Sequence, residues 1–83
     1  MVWVISSKYL SDYKVFVQFN DGNSGVIDFH NKLLNDHRVI VKELLDLEIF
    51  KTVKTKLDTI CWDNGLDFAP EYLYEQLKFQ KAA

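Results

Sequence analysis

Two glycine-containing polar corners constrain the fold of this chain more than any other feature of its sequence. Asn20-Asp21-Gly22-Asn23 and Asp63-Asn64-Gly65 each separate two short apolar runs. Glycine and asparagine adopt positive φ at low cost, so such corners favour tight turns between antiparallel strands. Each corner therefore predicts a β-hairpin, and the Asn-Gly pair of the second corner favours a type I′ turn.

Alternation of apolar and polar residues around the corners predicts the strands. Val15, Val17 and Phe19 fall on one face of the segment, and Lys14, Phe16 and Gln18 fall on the other, which is the period of two of a half-buried strand. Val53, Thr55 and Leu57 alternate in the same way with lysine and threonine. The pattern predicts strands over about residues 2–9, 14–19, 25–29, 52–57, 59–62 and 66–68.

Two helices are predicted from capping and periodicity. Asp46 is a suitable N-cap for a short helix over about residues 46–51. Pro70 suits the first position of a second helix, over about residues 70–80, because its missing N–H needs no partner there. The segment 30–45 contains only apolar runs too short to assign. Leu73, Tyr74 and Leu77 form the inward stripe of the second helix.

Length and composition indicate one domain, residues 1–83, of the α+β class. Two antiparallel β-hairpin units would carry the short middle helix and a C-terminal helix packed on the sheet. The formal net charge of −2 gives no broad attraction to nucleic acid or membranes. Cys61 is the single cysteine, which excludes an intramolecular disulfide, and no apolar run approaches the roughly 18 residues of a membrane helix. We therefore expect a cytoplasmic protein.

Three segments, taken in order, resemble the bacterial family known as domain of unknown function 2442. They are Phe19-x-Asp21-Gly22 with Asp28, then Leu47-Glu48-x-Phe50, then Trp62-x-Asn64-Gly65-x-Asp67-x-x-Pro70-Glu71-x-Leu73-Tyr74. The resemblance implies a compact α+β fold and structural roles for these motif residues, with no agreed biochemical activity. Some longer relatives carry a helix-turn-helix after this domain, and others are encoded beside a second small protein in a toxin–antitoxin-like layout.

Metal and cofactor sites are not expected. Asp63 and Asp67 flank Gly65 as in a calcium loop, but Tyr74 stands where the closing glutamate would fall, so a turn followed by a helix cap is the better interpretation. His30 and His37, with Asp28 and Asp36 nearby, lack the spacing that brings two imidazoles onto one ion.

The sequence contains no recognisable set of catalytic residues, so we expect that the protein is not an enzyme. Cys61 would be a nucleophile only beside a base, and next to Trp62 it reads as a small buried hydrophobe. Lys51, Lys54 and Lys56 would suit phosphate contacts, but they read better as the solvated face of an edge strand.

A second stripe of the C-terminal helix, formed by Tyr72, Gln76 and Phe79, would either be packed by a small core or join Trp3 and Phe16 in a partner surface. The leading hypothesis is a non-enzymatic protein-interaction module, either a homo-oligomer or the antitoxin-like half of a two-protein system. The alternative is a nucleic-acid-binding autoregulator that uses the lysine strand. A small hydrolase or metal enzyme built on Asp28, His30 or Cys61 is a remote third hypothesis.

Overall fold

The computed structural model of this protein describes residues 1–82, except for the side chains of Phe79, Lys81 and Ala82. In chain order the elements are β1 (Val4–Ser11), β2 (Lys14–Phe19), β3 (Ser24–Asp28), α1 (His30–Asn35), α2 (Val39–Lys42), a 3₁₀ turn (Glu43–Leu45), α3 (Leu47–Phe50), β4 (Lys54–Lys56), β5 (Thr59–Cys61) and α4 (Pro70–Ala82). Strands β1, β2 and β3 form a three-stranded antiparallel sheet in that order, and β4 pairs with β5. The predicted α+β class, with a C-terminal helix packed on the sheet, is confirmed.

The core lies between one face of the three-stranded sheet and the helices. Val15, Val17 and Phe19 are buried on the inward face of β2, as their alternation predicts. Leu73 and Leu77 are buried on the inward stripe of α4. A cluster of aromatic rings with centroids 5.6–6.1 Å apart fills the centre; its members are Phe29, Phe50, Trp62 and Phe68.

The segment 30–45, left unassigned by the sequence pattern, folds as short helices. Helices α1 and α2 and the 3₁₀ turn are six, four and three residues long, and Leu33, Val41 and Leu44 are the buried residue of each. Such short pieces have too few turns to show a helical period. The predicted cap of the next helix is present, because the Asp46 carboxylate accepts a hydrogen bond from the Glu48 N–H at 3.0 Å.

The prediction of a type I′ turn at Asn64-Gly65 is wrong. Trp62 and Leu66 close a three-residue loop, in which the Gly65 N–H donates to the Trp62 carbonyl and only Gly65 has positive φ. The sequence signal is the same for both geometries, because glycine also suits the last position of a three-residue loop. The type I′ turn instead joins β4 to β5 at Leu57 and Asp58, with φ of 52° and 68°.

Two predicted strands are also shorter than expected. The strand predicted over 66–68 is reduced to one bridge between Cys61 and Asp67. Beyond it the Phe68 carbonyl accepts the Thr59 hydroxyl instead of a backbone N–H, and the chain turns into α4. The strand predicted over 52–57 covers only β4, and Leu57, predicted to face inward, is 88% exposed because it lies in the turn.

Candidate interaction surface

The face of the three-stranded sheet that points away from the core is apolar at its centre. Phe16 of β2 stands opposite Lys8 of β1 and Val26 of β3 in the antiparallel register. Val26 is 41% exposed and Phe16 is partly exposed, while the neighbouring Ile27 is buried on the other face. An aromatic residue paired with a β-branched one stabilises the sheet, so Phe16 and Val26 already have one structural role.

Two irregularities in β1 add apolar side chains to this face. The register with β2 shifts at Ile5 and again at Leu10, as it does at β-bulges. These residues follow the inward-facing Val4 and Tyr9, and they are 51% and 44% exposed. The apolar residues of this face, which we call the outer patch, are Ile5, Leu10, Phe16 and Val26.

The charged residues around the outer patch are of both signs. Lys14 is the cross-strand partner of Asp28 and shares a cavity with the exposed Asp12, and Lys8 is exposed beside Phe16. The ion pairs found within residues 1–82 involve neither Lys8 nor Lys14. The outer patch is therefore a half-exposed apolar surface with a mixed charged rim.

The residues predicted to bind a partner lie on different sides of the sheet. Phe16 belongs to the outer patch, and Trp3 is 39% exposed just before β1, where its backbone N–H donates to the side-chain oxygen of Asn20 at 2.8 Å. Tyr72 and Gln76 are partly buried on α4, on the core side of the sheet. The side chain of Phe79, the last member of the predicted surface, lies outside the described residues.

Tyr72 and Gln76 line a cavity of about 420 Å³ between α4, the end of β3 and the start of α1. The Tyr72 ring stacks on Phe68 with centroids 5.4 Å apart, and the Lys32 ammonium lies 5.4 Å from the Tyr72 ring centre. Burial raises the pKa of Tyr72. Tyr72 therefore buries much of its apolar surface within the domain, as expected if the second helix stripe is packed by the core.

Tyr74 ties the first glycine corner to α4. Its hydroxyl donates to the Asp21 carboxylate at 2.6 Å and accepts from the Asn23 amide at 2.9 Å. The Tyr74 hydrogen bond, followed by bonds from Asn23, holds the pKa of Asp21 below its ordinary value. The same Asp21 contact raises the pKa of Tyr74. The ring of Tyr74 also packs edge-on against Phe19, so three motif residues meet at this corner.

The second glycine corner is tied to the middle helices by Asn64. Its amide nitrogen donates to the Ile40 carbonyl at 3.0 Å and to the Glu43 carboxylate at 2.9 Å, while its oxygen accepts from the Leu66 N–H. The indole N–H of the buried Trp62 donates to the Phe50 carbonyl at 2.9 Å. Both corners thus dock on distant elements through side chains that sequence reasoning assigned only to turn formation.

The remaining motif residues lie at element ends or in the core. The Asp28 carboxylate accepts from the His30 N–H at 3.0 Å at the end of β3. Asp67 is exposed and opposite Cys61, and Pro70 is the first residue of α4.

The candidate lysines lie around the β4–β5 hairpin. Lys51, Lys54 and Lys56 are all exposed. Lys54 forms a 2.6 Å ion pair with Asp63, which raises the pKa of the lysine. Cys61 is a half-buried free thiol in a cavity of about 320 Å³ beside Lys54, away from the other predicted reactive residues.

The histidines and the paired acids do not converge on one point. His30 stacks on Tyr13 with centroids 4.9 Å apart, and His37 is exposed in the loop after α1. Asp36 forms ion pairs with Arg38 and Lys32, which hold its pKa far below the usual range. Within the described residues there is no group of three or more side chains that would hold a metal ion.

The side chain of Gln80 bonds the backbone of Asp28, a contact that the sequence did not predict. Its side-chain oxygen accepts from the Asp28 N–H at 2.9 Å, and its nitrogen donates to the Asp28 carbonyl at 3.4 Å. The two residues are 52 positions apart, so no local pattern indicates the pair.

Comparison with known proteins gives a family and nothing closer. No helix among residues 1–82 is long and apolar enough to cross a membrane. No curated protein and no solved structure matches the chain. The family model described as protein of unknown function (DUF2442) matches residues 4–79, which include every motif residue discussed above. The chain therefore belongs to the DUF2442 family.

Proposed function

We propose that this protein is a non-enzymatic interaction module whose outer patch binds the apolar surface of a second small protein. The supporting observation is the outer patch itself, in which Ile5, Leu10 and Val26 are each between 41% and 51% exposed around Phe16. Adjacent exposed apolar residues with a polar rim are typical of protein-binding surfaces.

The family resemblance favours a different protein over a second copy at this surface, because some relatives are encoded beside a second small protein. The charges of the rim do not select the charge of the partner, since Lys8 and Lys14 are balanced by Asp12 and Asp28. The protein encoded by the neighbouring gene is therefore the candidate partner.

The proposal includes the absence of catalysis. Asp28 and His30 line cavities beside α1, whereas Cys61 lines a different cavity beside Lys54. Cys61 therefore lacks the neighbouring histidine that commonly activates a nucleophilic thiol. Lys54 is engaged by Asp63, so only one of the two lysines of β4, Lys56, lies outside the ion pairs found within residues 1–82.

The test combines Phe16→Thr with Val26→Thr, because threonine keeps the strand propensity of β2 and β3 while removing the apolar contact. We expect the wild-type chain and the neighbouring gene's product to form a complex in light scattering. The double variant should weaken that complex by about 2 kcal/mol, the usual effect of losing a central contact.

Leu34→Thr is the matched control, because Leu34 is an apolar residue of similar exposure on α1, outside the outer patch. We expect it to leave the complex intact. If no complex forms, or if the double variant binds as well as the wild type, the proposal is wrong.

A further inference from the structure

The two edges of the three-stranded sheet differ in how they are protected. At the β1 edge the Val4 N–H donates to the Asp58 carbonyl at 2.9 Å, and the Ser7 hydroxyl bonds the Thr55 hydroxyl at 2.7 Å. The bulges at Ile5 and Leu10 interrupt the same strand. Covering segments and bulges are ordinary defences against unwanted strand pairing, so β1 is a closed edge.

The β3 edge has no β-bulge, and α4, which packs against β3, makes side-chain hydrogen bonds only near its two ends, through Tyr74 to Asn23 and through Gln80 to Asp28. Its register with β2 runs without a shift through five consecutive pairs, from Ser24 to Asp28. The Asn23 carbonyl and the Phe29 N–H bond towards β2, and the period of two therefore turns the N–H and C=O groups of Ser24, Val26 and Asp28 away from β2. The strand also contains no proline or lysine.

Gln80 occupies the place of a neighbouring strand at one end of this edge. Its amide bonds both the N–H and the C=O of Asp28, which is the pair of contacts that a peptide group of an added strand makes. No hydrogen bond of this kind from α4 reaches Ser24 or Val26 among the described side chains. The outward N–H and C=O groups of Asp28 are thus bonded by Gln80, whereas those of Ser24 and Val26 have no hydrogen-bond partner among the described side chains of α4.

We propose that β3 pairs antiparallel with β3 of a second copy of this chain, centred on Val26, when Gln80 releases Asp28. In this register Val26 faces Val26 of the second copy, and Asp28 faces Ser24. No like charges are opposed, and the central pair is β-branched, so the strand is complementary to itself. The joined sheet runs through both copies and places their two outer patches side by side. The inference uses the strand edge alone and does not depend on the proposed function.

Ser24→Pro tests the pairing without altering the outer patch. Proline is tolerated at the first residue of a strand, and there it removes an N–H that points away from β2. We expect the wild type to show a concentration-dependent monomer–dimer equilibrium in analytical ultracentrifugation. Ser24→Pro should weaken dimerisation about tenfold, the effect of one lost hydrogen bond in each copy, and Ser24→Ala should not.

Gln80→Ala is the opposite test, because it removes the side-chain amide that bonds the Asp28 backbone. We expect this variant to dimerise more tightly than the wild type, since release of Asp28 no longer opposes pairing. Slower hydrogen exchange of the Val26 and Ser24 amides at high protein concentration provides a readout that needs no substitution.

Several results would overturn the proposal. If both the wild type and Gln80→Ala stay monomeric up to about 1 mM, β3 does not pair. A dissociation constant of about 1 mM corresponds to a binding free energy of only about 4 kcal/mol. A dimer that survives Ser24→Pro but is lost with Phe16→Thr would place self-association on the outer patch instead. A dimer whose Val26 amide exchanges as fast as in the monomer would exclude this edge.

Discussion

Leu57 has a backbone conformation that does not suit its side chain. It lies in the type I′ turn between β4 and β5 with φ of 52°, where asparagine and glycine are the usual residues. Its side chain is exposed, so no burial offsets the strain. The turn is held by its neighbour, because the Asp58 carbonyl accepts the Val4 N–H. The geometry of this turn is therefore supported by a tertiary contact as well as by the pairing of β4 with β5.

We expect Leu57→Asn to raise the free energy of unfolding by about 1 kcal/mol, because asparagine tolerates positive φ better than leucine. Urea denaturation would measure the change. Leu57→Ala is the control, since alanine also removes the exposed side chain but keeps a β-carbon at the same φ. Equal stability of the two variants would show that φ at this position is not strained.

Asp21 makes stability depend on pH. Its pKa in the folded protein is lowered, mainly by the Tyr74 hydroxyl, so the folded state binds a proton less readily than the unfolded state. The contribution of Asp21 to stability is therefore present above its unfolded pKa, and it is lost as the pH falls through the lower folded pKa.

We expect Asp21→Asn to lose less stability than the wild type when the pH falls from neutral to about 2. Urea midpoints measured across this range would show the difference. Glu75→Gln, which neutralises an exposed carboxylate on α4, away from the first glycine corner, should follow the wild-type curve. Parallel curves for Asp21→Asn and the wild type would contradict the assignment.

The two hairpin corners are built alike although they dock on different elements. In each, an aromatic residue opens a three-residue loop that ends in glycine, with Gly22 at φ 90° and Gly65 at φ 93°. An acid or amide one residue before the glycine accepts a backbone N–H two residues on, from Asn23 or Leu66. This repeated construction explains why glycine is required at both positions.

We expect Gly22→Ala and Gly65→Ala each to lower the free energy of unfolding by about 1–2 kcal/mol. A β-carbon at either position would meet no atom within 4 Å, so the cost comes from φ alone. Gly22→Asn and Gly65→Asn should cost less, because asparagine adopts positive φ more readily. Equal losses for alanine and asparagine would point to another cause.

The sequence predicts elements well where a pattern spans enough residues. The alternation in β2 and the proline-led start of α4 have a period or a cap that can be read directly. The helices between residues 30 and 45 do not, because none exceeds six residues. The turn at Leu57 could not be predicted, since leucine does not favour the positive φ that it adopts there.

The folded domain is held together at Phe50. Its ring lies within 5.4–6.1 Å of the rings of Tyr13, Phe29 and Trp62, and its carbonyl accepts the Trp62 indole N–H. Phe50 therefore links the three-stranded sheet to the second hairpin. Nothing in the sequence around Phe50 shows this, because its partners are distant along the chain.

We expect Phe50→Ala to lower the free energy of unfolding by about 3–5 kcal/mol, a large part of the total of about 4–12 kcal/mol for a domain of this length. Urea denaturation followed by circular dichroism would measure it. Leu34→Ala, at an exposed site on α1, should change stability by less than about 0.5 kcal/mol. A loss below about 1.5 kcal/mol for Phe50→Ala would contradict this central role of Phe50 in the core.

The candidate surface was only partly predictable. Phe16 could be named from its position opposite the buried face of β2, but Ile5 and Leu10 join it through bulges that no sequence pattern announces. The stacking of Tyr72 on Phe68 and the hydrogen bond between Gln80 and Asp28 likewise depend on how α4 packs in the folded domain, which no local sequence pattern shows.

Burial divides the two tryptophans into separate optical reporters. Trp3 is 39% exposed beside the first corner, whereas Trp62 is only 2% exposed in the aromatic centre. A neutral quencher such as acrylamide should extinguish the emission of Trp3 at concentrations that leave Trp62 bright. Spectroscopy on the unlabelled protein can thus distinguish events near the N-terminus from loosening of the interior.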